Sequence, residues 1–161
     1  IPQGFRPVRH DRLIQEDVHD PYMTKGKLEE PTVCPQCKAV YSEGRWHWGS
    51  HPKIAHEALC PACHRVKDKF PAGFVTLEGE YFKSHHGEIM SLVSHEAERE
   101  REAHPLKRIM EIQEQDGSVL ITTSDIHLAR EIGDAVEKAY KGKLEYHYNP
   151  QENLLRVHWI H

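Results

Sequence analysis

The chain is short of several things, and each shortage removes a class of protein. No apolar run approaches the ~20 residues that cross a bilayer, and the opening "IPQGFRPVRHDRLIQ" lacks the apolar core of a secretory signal. There is no Gly-rich phosphate loop, no G-x-S-x-G and no H-E-x-x-H: "HEALC" at 56–60 and "HEAER" at 95–99 both miss that pattern. Cysteine is scarce, with four residues in 161. A disulfide framework needs an oxidising compartment, and the missing signal points instead to a reducing, cytoplasmic one. Charged residues make up 29% and hydrophobic residues 38%, and aromatic and branched residues recur in the second half, so the chain is polar but expected to fold.

What is present starts with those four cysteines. They stand as "VCPQC" and "LCPAC", two C-x2-C pairs at Cys34, Cys37, Cys60 and Cys63 with twenty-two residues between them. Two thiolates separated by two residues can reach one metal from a single tight turn, and a tetrahedral zinc needs two such turns. Proline after the first cysteine of each pair (Pro35, Pro61) stiffens both turns. A redox dithiol would need only one pair. The expected cofactor is one structural Zn²⁺, because four thiolates leave no open position for water or substrate. The base-deaminase pattern of H-x-E with P-C-x-x-C also fails, since Leu59 precedes Cys60.

The net charge of −4 is unevenly spread. Residues 31–70 carry six Lys/Arg against three Asp/Glu, residues 71–161 ten against sixteen, and residues 1–30 five against six. A locally basic module on an acidic protein suggests one confined anionic contact. Within it, Arg45-Trp46-His47-Trp48 combines aromatic and basic side chains as nucleic-acid binders do; equally, one tryptophan is expected in the small core around the metal, with Arg45 and His47 exposed.

The organisation predicted along the chain is an extended arm over 1–30, a zinc module over 31–70, a hairpin and charged helix over 71–105, and a ββαββ domain over 106–161. The class is α+β, with a four-cysteine zinc ribbon or knuckle followed by sheet and helix. "FVTLEGEYF" (74–82) reads as a hairpin turning at Glu78-Gly79, and "HGEIMSLVSHEAEREREAHP" as a helix whose charged tail is solvated or projects. "KRIMEIQEQDGSVLITT" reads as two strands across Asp116-Gly117. Ser124 or Asp125 then caps a helix over 125–140. Ile126, Ala129, Ile132, Gly133 and Val136 share one face of it, Gly133 permits close approach to a sheet, and Gly142 ends it. The last strands bury Leu144, Tyr146, Tyr148, Leu155, Val157 and Trp159 and leave Glu145, His147, Arg156 and His158 on the opposite face.

"CPACHRVKDKFPAGFVTLEG", "TTSDIHLAREIGDAVEKAYKGKLEYHY" and "RVHW", which are spread over residues 60–161, resemble the archaeal and eukaryotic large-ribosomal-subunit export adapter family, the protein family named for nonsense-mediated decay, and most of all its short bacterial relatives. The resemblance implies a non-enzymatic protein associated with the ribosome, with its large subunit and with ribosomal RNA, in assembly, quality control or dormancy. The family carries more cysteine pairs, a further domain and, in eukaryotes, transport signals that have no counterpart here, so nuclear export is not implied. Together with the basic segment, the resemblance makes Arg45, His47, Lys53, His64, Arg65, Lys67 and Lys69 the candidate RNA contacts, with Arg6, Arg9 and Arg12 following from the arm. Neither a membrane nor specific DNA is an expected partner. The competing reading is a cytoplasmic metal-dependent enzyme, or a metal-handling protein, that uses some of the fourteen histidines.

Overall fold

The computed structural model describes residues 5–7, 22 and 28–161. Along the chain lie β1 (Arg6–Pro7), β2 (Thr32–Val33), β3 (Val40–Ser42), β4 (Arg45–His47), β5 (His56–Glu57), α1 (Pro61–Asp68) and β6 (Gly73–Glu78). They are followed by α2 (Glu80–Ser84), α3 (His86–Ala103), β7 (Ile109–Gln115), β8 (Ser118–Thr123), α4 (Ile126–Tyr140), β9 (Lys143–Asn149) and β10 (Leu154–Ile160). A small sheet in the order β4-β3-β2-β5 carries the cysteines, and a larger one in the order β1-β9-β10-β6-β8-β7 carries the main core. This is the α+β architecture expected, a knuckle module before a sheet-and-helix domain. No described helix is long and apolar enough to cross a membrane.

The second half forms for the reasons its pattern states. Asp116 and Gly117 both take positive φ, as the tight turn between β7 and β8 requires. Asp125 caps α4 by accepting the Leu128 N–H. The period-2 alternation of β9 and β10 puts Leu144, Tyr146, Leu155, Val157 and Trp159 against the sheet-facing stripe of α4, where Leu128, Ala129, Ile132 and Val136 are all fully buried. A Cβ on Gly133 would lie 2.6 Å from Val157 Cγ1, so the helix can approach this closely only with glycine there.

Two expectations are corrected. The stretch 74–82 is not a hairpin. It is one strand, β6, that turns at Gly79 (φ +112°) into helix α2. The helical turn lets Phe82 enter the core edge-on to Trp159, and the backbone N–H groups of Tyr81 and Phe82 donate to the His161 carbonyl, which leaves no second strand to pair. Nor do the strands of 106–161 make one four-stranded sheet by themselves. β6 lies between the two hairpins, parallel to β10 and antiparallel to β8. β8 and β10 never pair with each other, so without β6 the sheet would separate into two halves.

The charged end of α3 does not project. Ala97 is buried, and Lys107 bridges Glu100 of α3 to Glu131 of α4 at 3.3 and 2.8 Å. Trp48 of the cysteine module donates its indole N–H to the Arg101 carbonyl at 2.7 Å. One side of this end of α3 therefore faces protein, while Glu98, Arg99, Arg101 and Glu102 stay exposed as the charged sequence led one to expect. Of the arm, β1 pairs antiparallel with β9 through Arg6 opposite Tyr148; the remainder of residues 1–30, apart from residues 5, 7, 22 and 28–30, lies outside the described residues.

Candidate metal centre

Each cysteine pair sits in a turn that aims its sulfurs inward. In the first, the Cys34 N–H donates to Ala39 O and the Lys38 N–H returns to Cys34 O, while Lys38 takes φ 68°. The chain therefore folds back sharply just past Cys37. The second pair opens a helix instead. Cys60 is the N-cap of α1, its sulfur accepts the Cys63 N–H at 3.3 Å, and Pro61 occupies the first helical position, where no N–H is needed. The pairing of β2 with β5 brings residue 33 level with residue 57, and so carries the two turns together.

All four Sγ atoms lie within 4.8 Å of one another, and Cys37 and Cys60 are 3.7 Å apart. That is far too long for a disulfide, whose sulfurs stand about 2.05 Å apart. It matches the edge of a sulfur tetrahedron around zinc, about 3.8 Å for Zn–S bonds of about 2.3 Å. The four cysteines are free and, among the described residues, form the only group of three or more potential metal donors. An all-thiolate donor set in this shape suits a structural zinc. Cys34, Cys37, Cys60 and Cys63 would hold it, and the metal would supply a cross-link between the β2–β3 turn and α1. Around them the core is small: Ala39, Trp46 and Ala62 are the other buried members, with Trp48, Leu59 and Leu106 packed alongside.

Arg108, from the start of the next sheet, reaches this centre. Its guanidinium donates to Cys63 Sγ at 3.0 Å and to Cys37 and Cys60 Sγ at 3.1 Å each. The hydrogen bond shared with Cys60 holds the Cys37 thiol down to about 4 against desolvation, with the Arg108 charge assisting. That same sharing, together with burial, pushes Cys60 up, and burial pushes Cys63 up against the hydrogen bond from Arg108. Burial also opposes the charge of Arg108, but the hydrogen bond to Cys63 and the neighbouring thiolates outweigh it and raise its pKa. Binding a divalent metal displaces the protons the sulfurs still carry. Nothing in the sequence marks Arg108. It lies 45 to 71 residues from the sulfurs it touches, in the loop that leads into β7.

Neither a family model nor a curated protein nor a solved structure matches the chain.

The candidate RNA contacts are divided by the structure. Arg45, Lys53, His64, Lys67 and Lys69 are exposed, and His47 is half-buried with its ring against Ser42 Oγ. Arg65 is not a solvated side chain. It is 1% exposed, donates to Phe70 O at 2.9 Å and lies over the Tyr22 ring at 4.4 Å. As the fifth residue of α1, it turns under the helix rather than out from it. Lys67 lines a groove with Arg101 and Arg108, whereas Arg45 lines another with Lys107 and Asp125. The side chain of Arg6, and all of Arg9 and Arg12, lie outside the described residues. Both tryptophans serve the protein itself, Trp46 in the small core and Trp48 at the joint with α3.

The sheet face opposite the helices carries Glu145, His147, Arg156 and His158 as the alternation foretold. Arg156 lies over the Phe74 ring at 4.5 Å and the Phe5 ring at 5.2 Å. His158 meets Glu78 at 3.4 Å and Lys143 meets Glu145 at 3.1 Å, so the charges on this face are largely matched among themselves.

Proposed function

We propose that the protein is a non-enzymatic, zinc-stabilised partner of RNA on the ribosome. The observation that carries this reading is the way the centre builds α1: a metal ligand, Cys60, is the cap of the helix that displays His64, Lys67 and Lys69 to solvent. A four-thiolate shell offers no open coordination position, so its use is to hold that helix and not to activate water. Long cations on a rigid support suit phosphate contact. The resemblance of residues 60–161 to the large-subunit export adapter family supports a ribosomal location for that contact, with the large subunit and its RNA as partners. The sheet face is the weaker alternative surface, because Glu78, Glu111 and Glu145 stand on it beside Arg156 and Lys143, and carboxylates repel phosphate.

Sedimentation of the tagged full chain from lysate through a sucrose gradient tests the reading. The protein is expected to travel with ribosomal particles in low salt. Its affinity should fall by about 0.7–0.9 log units per log of salt for each phosphate neutralised. Replacing Lys53, Lys67 and Lys69 together with alanine should weaken co-sedimentation and leave the melting temperature unchanged, since all three side chains are exposed. Free duplex DNA should bind poorly to a chain of net charge −4. The proposal is sunk by protein that stays at the top of the gradient in lysates of both growing and starved cells.

A further inference from the structure

Four thiolates around one divalent metal carry a formal charge of −2. Such a charge, largely withdrawn from water, is costly unless a cation or N–H donors face it. Among the described residues the side-chain cation that donates to the sulfurs is Arg108, and it donates to three of them. Its bonds of 3.0–3.1 Å are shorter than the backbone N–H···S bond of 3.3 Å from Cys63 to Cys60. On its other side the guanidinium is anchored within the sheet domain. Its Nε donates to Pro105 O at 2.9 Å, and its backbone N–H donates to Ser124 Oγ at 3.0 Å. That hydroxyl in turn donates to Leu106 O at 2.6 Å, so the loop before β7 is tied to the cap of α4. Two of the three sulfurs it covers belong to residues that line a groove, Cys37 and Cys63 beside Leu59, Val66 and Lys67, while Cys60, like Cys34, is wholly enclosed.

We propose that Arg108 is a positioning residue of the metal centre: it neutralises three of the four thiolates from the neighbouring domain and so ties metal retention to docking of the cysteine module on the sheet. The coupling is reciprocal. Whatever factor docking adds to metal affinity, the metal adds to docking. A guanidinium is needed, because its fixed fork of donors can span several sulfurs, which the single ammonium of lysine cannot do in the same geometry. The proposal rests on the zinc reading of the four cysteines and is independent of the RNA reading.

The test uses the full chain with Arg108→Gln and Arg108→Lys, and Ile132→Ala as a control that weakens the sheet core without touching sulfur. Zinc affinity is measured by competition with a chromophoric chelator. The thiolate-to-metal charge-transfer band is read in the Co²⁺-substituted protein. Arg108→Gln should lower zinc affinity about 10–100-fold, the usual effect of losing an outer-shell partner. Its band should move to lower energy, because sulfurs that lose N–H donors give up electrons more easily. Arg108→Lys should fall between Gln and wild type in both, and it carries the test alone if the Gln variant does not fold. Ile132→Ala should lower the melting temperature and leave the band in place. Unchanged affinity and an unmoved band in both Arg108 variants would overturn the proposal, as would a band shift of equal size in Ile132→Ala. Wild-type protein that takes up no zinc overturns the metal reading itself, and the proposal with it.

Discussion

The cysteine module and the sheet domain hold themselves together by different means. The sheet domain buries twenty residues in one cluster, among them Trp159, Phe82, Tyr146 and eight leucines and isoleucines. The buried apolar cluster of the cysteine module has six members, of which three are cysteines and two are alanines. At about 25 cal/mol per Å² of apolar surface, the first core is ample and the second is slight. The difference teaches what the cysteines are for: they replace an apolar core that forty residues are too few to build. It also explains the direction of help across the joint. Arg108, Leu106 and the Arg101 carbonyl all come from the larger body to the smaller one.

The largest expected effect breaks this comparison at the metal. Structural zinc supplies roughly 10–16 kcal/mol of apparent binding energy that is also folding energy. Cys60→Ser, or a strong chelator, should therefore abolish binding of one zinc per chain and collapse the amide signals of residues 31–70 in a heteronuclear NMR spectrum. Signals from β6 to β10 should persist. If the cysteine module keeps its dispersed signals without metal, it has a core of its own and the contrast fails.

The next effect breaks the other side. Trp159→Ala should cost about 3–5 kcal/mol, since the ring is fully buried against Phe82 and the loss adds a cavity to the lost transfer energy. Denaturant titration of the metal-loaded protein checks it, and zinc stoichiometry should stay at one because the ring touches none of the ligands. A zinc content that falls with Trp159→Ala would show the two regions to be one cooperative unit.

The smallest effect sharpens the picture within the sheet domain. Asp125→Ala removes the side chain that accepts the Leu128 N–H at the start of α4 and should cost about 1 kcal/mol. Asp125→Asn should restore most of it, because the amide oxygen can accept the same bond. Thermal melts of the two variants side by side decide the matter, and equal losses in both would show that the carboxylate charge, not the cap, is what counts.

Much of this was readable beforehand wherever the cause is local. The caps, the Asp116-Gly117 turn, the alternation of β9 and β10 and the pairing of the cysteines each depend on residues a few positions apart. Gly133 was identifiable because a glycine on an otherwise apolar helical stripe signals close approach. Where the reading failed, the cause was distant. β6 looked like half of a hairpin because its true partners, β8 and β10, lie roughly 40 and 80 positions downstream. Arg65 looked solvated because it sits in a run of charged residues, and its burial depends on Phe70 and Tyr22 closing over it. The end of α3 is solvated as expected but does not project, because Trp48 and Lys107 from other elements hold one side of it.

The sequence by itself determined which four cysteines form the candidate metal centre and the secondary structure of the last fifty residues, because C-x2-C turns, caps and periodicity act within a turn or two of chain. Only the tertiary structure decided which strand completes the sheet, which cations stay in solvent, and that Arg108 would face three cysteine sulfurs. Those outcomes come from parallel pairing, burial and charge neutralisation between segments far apart in the chain, and no local pattern records such encounters.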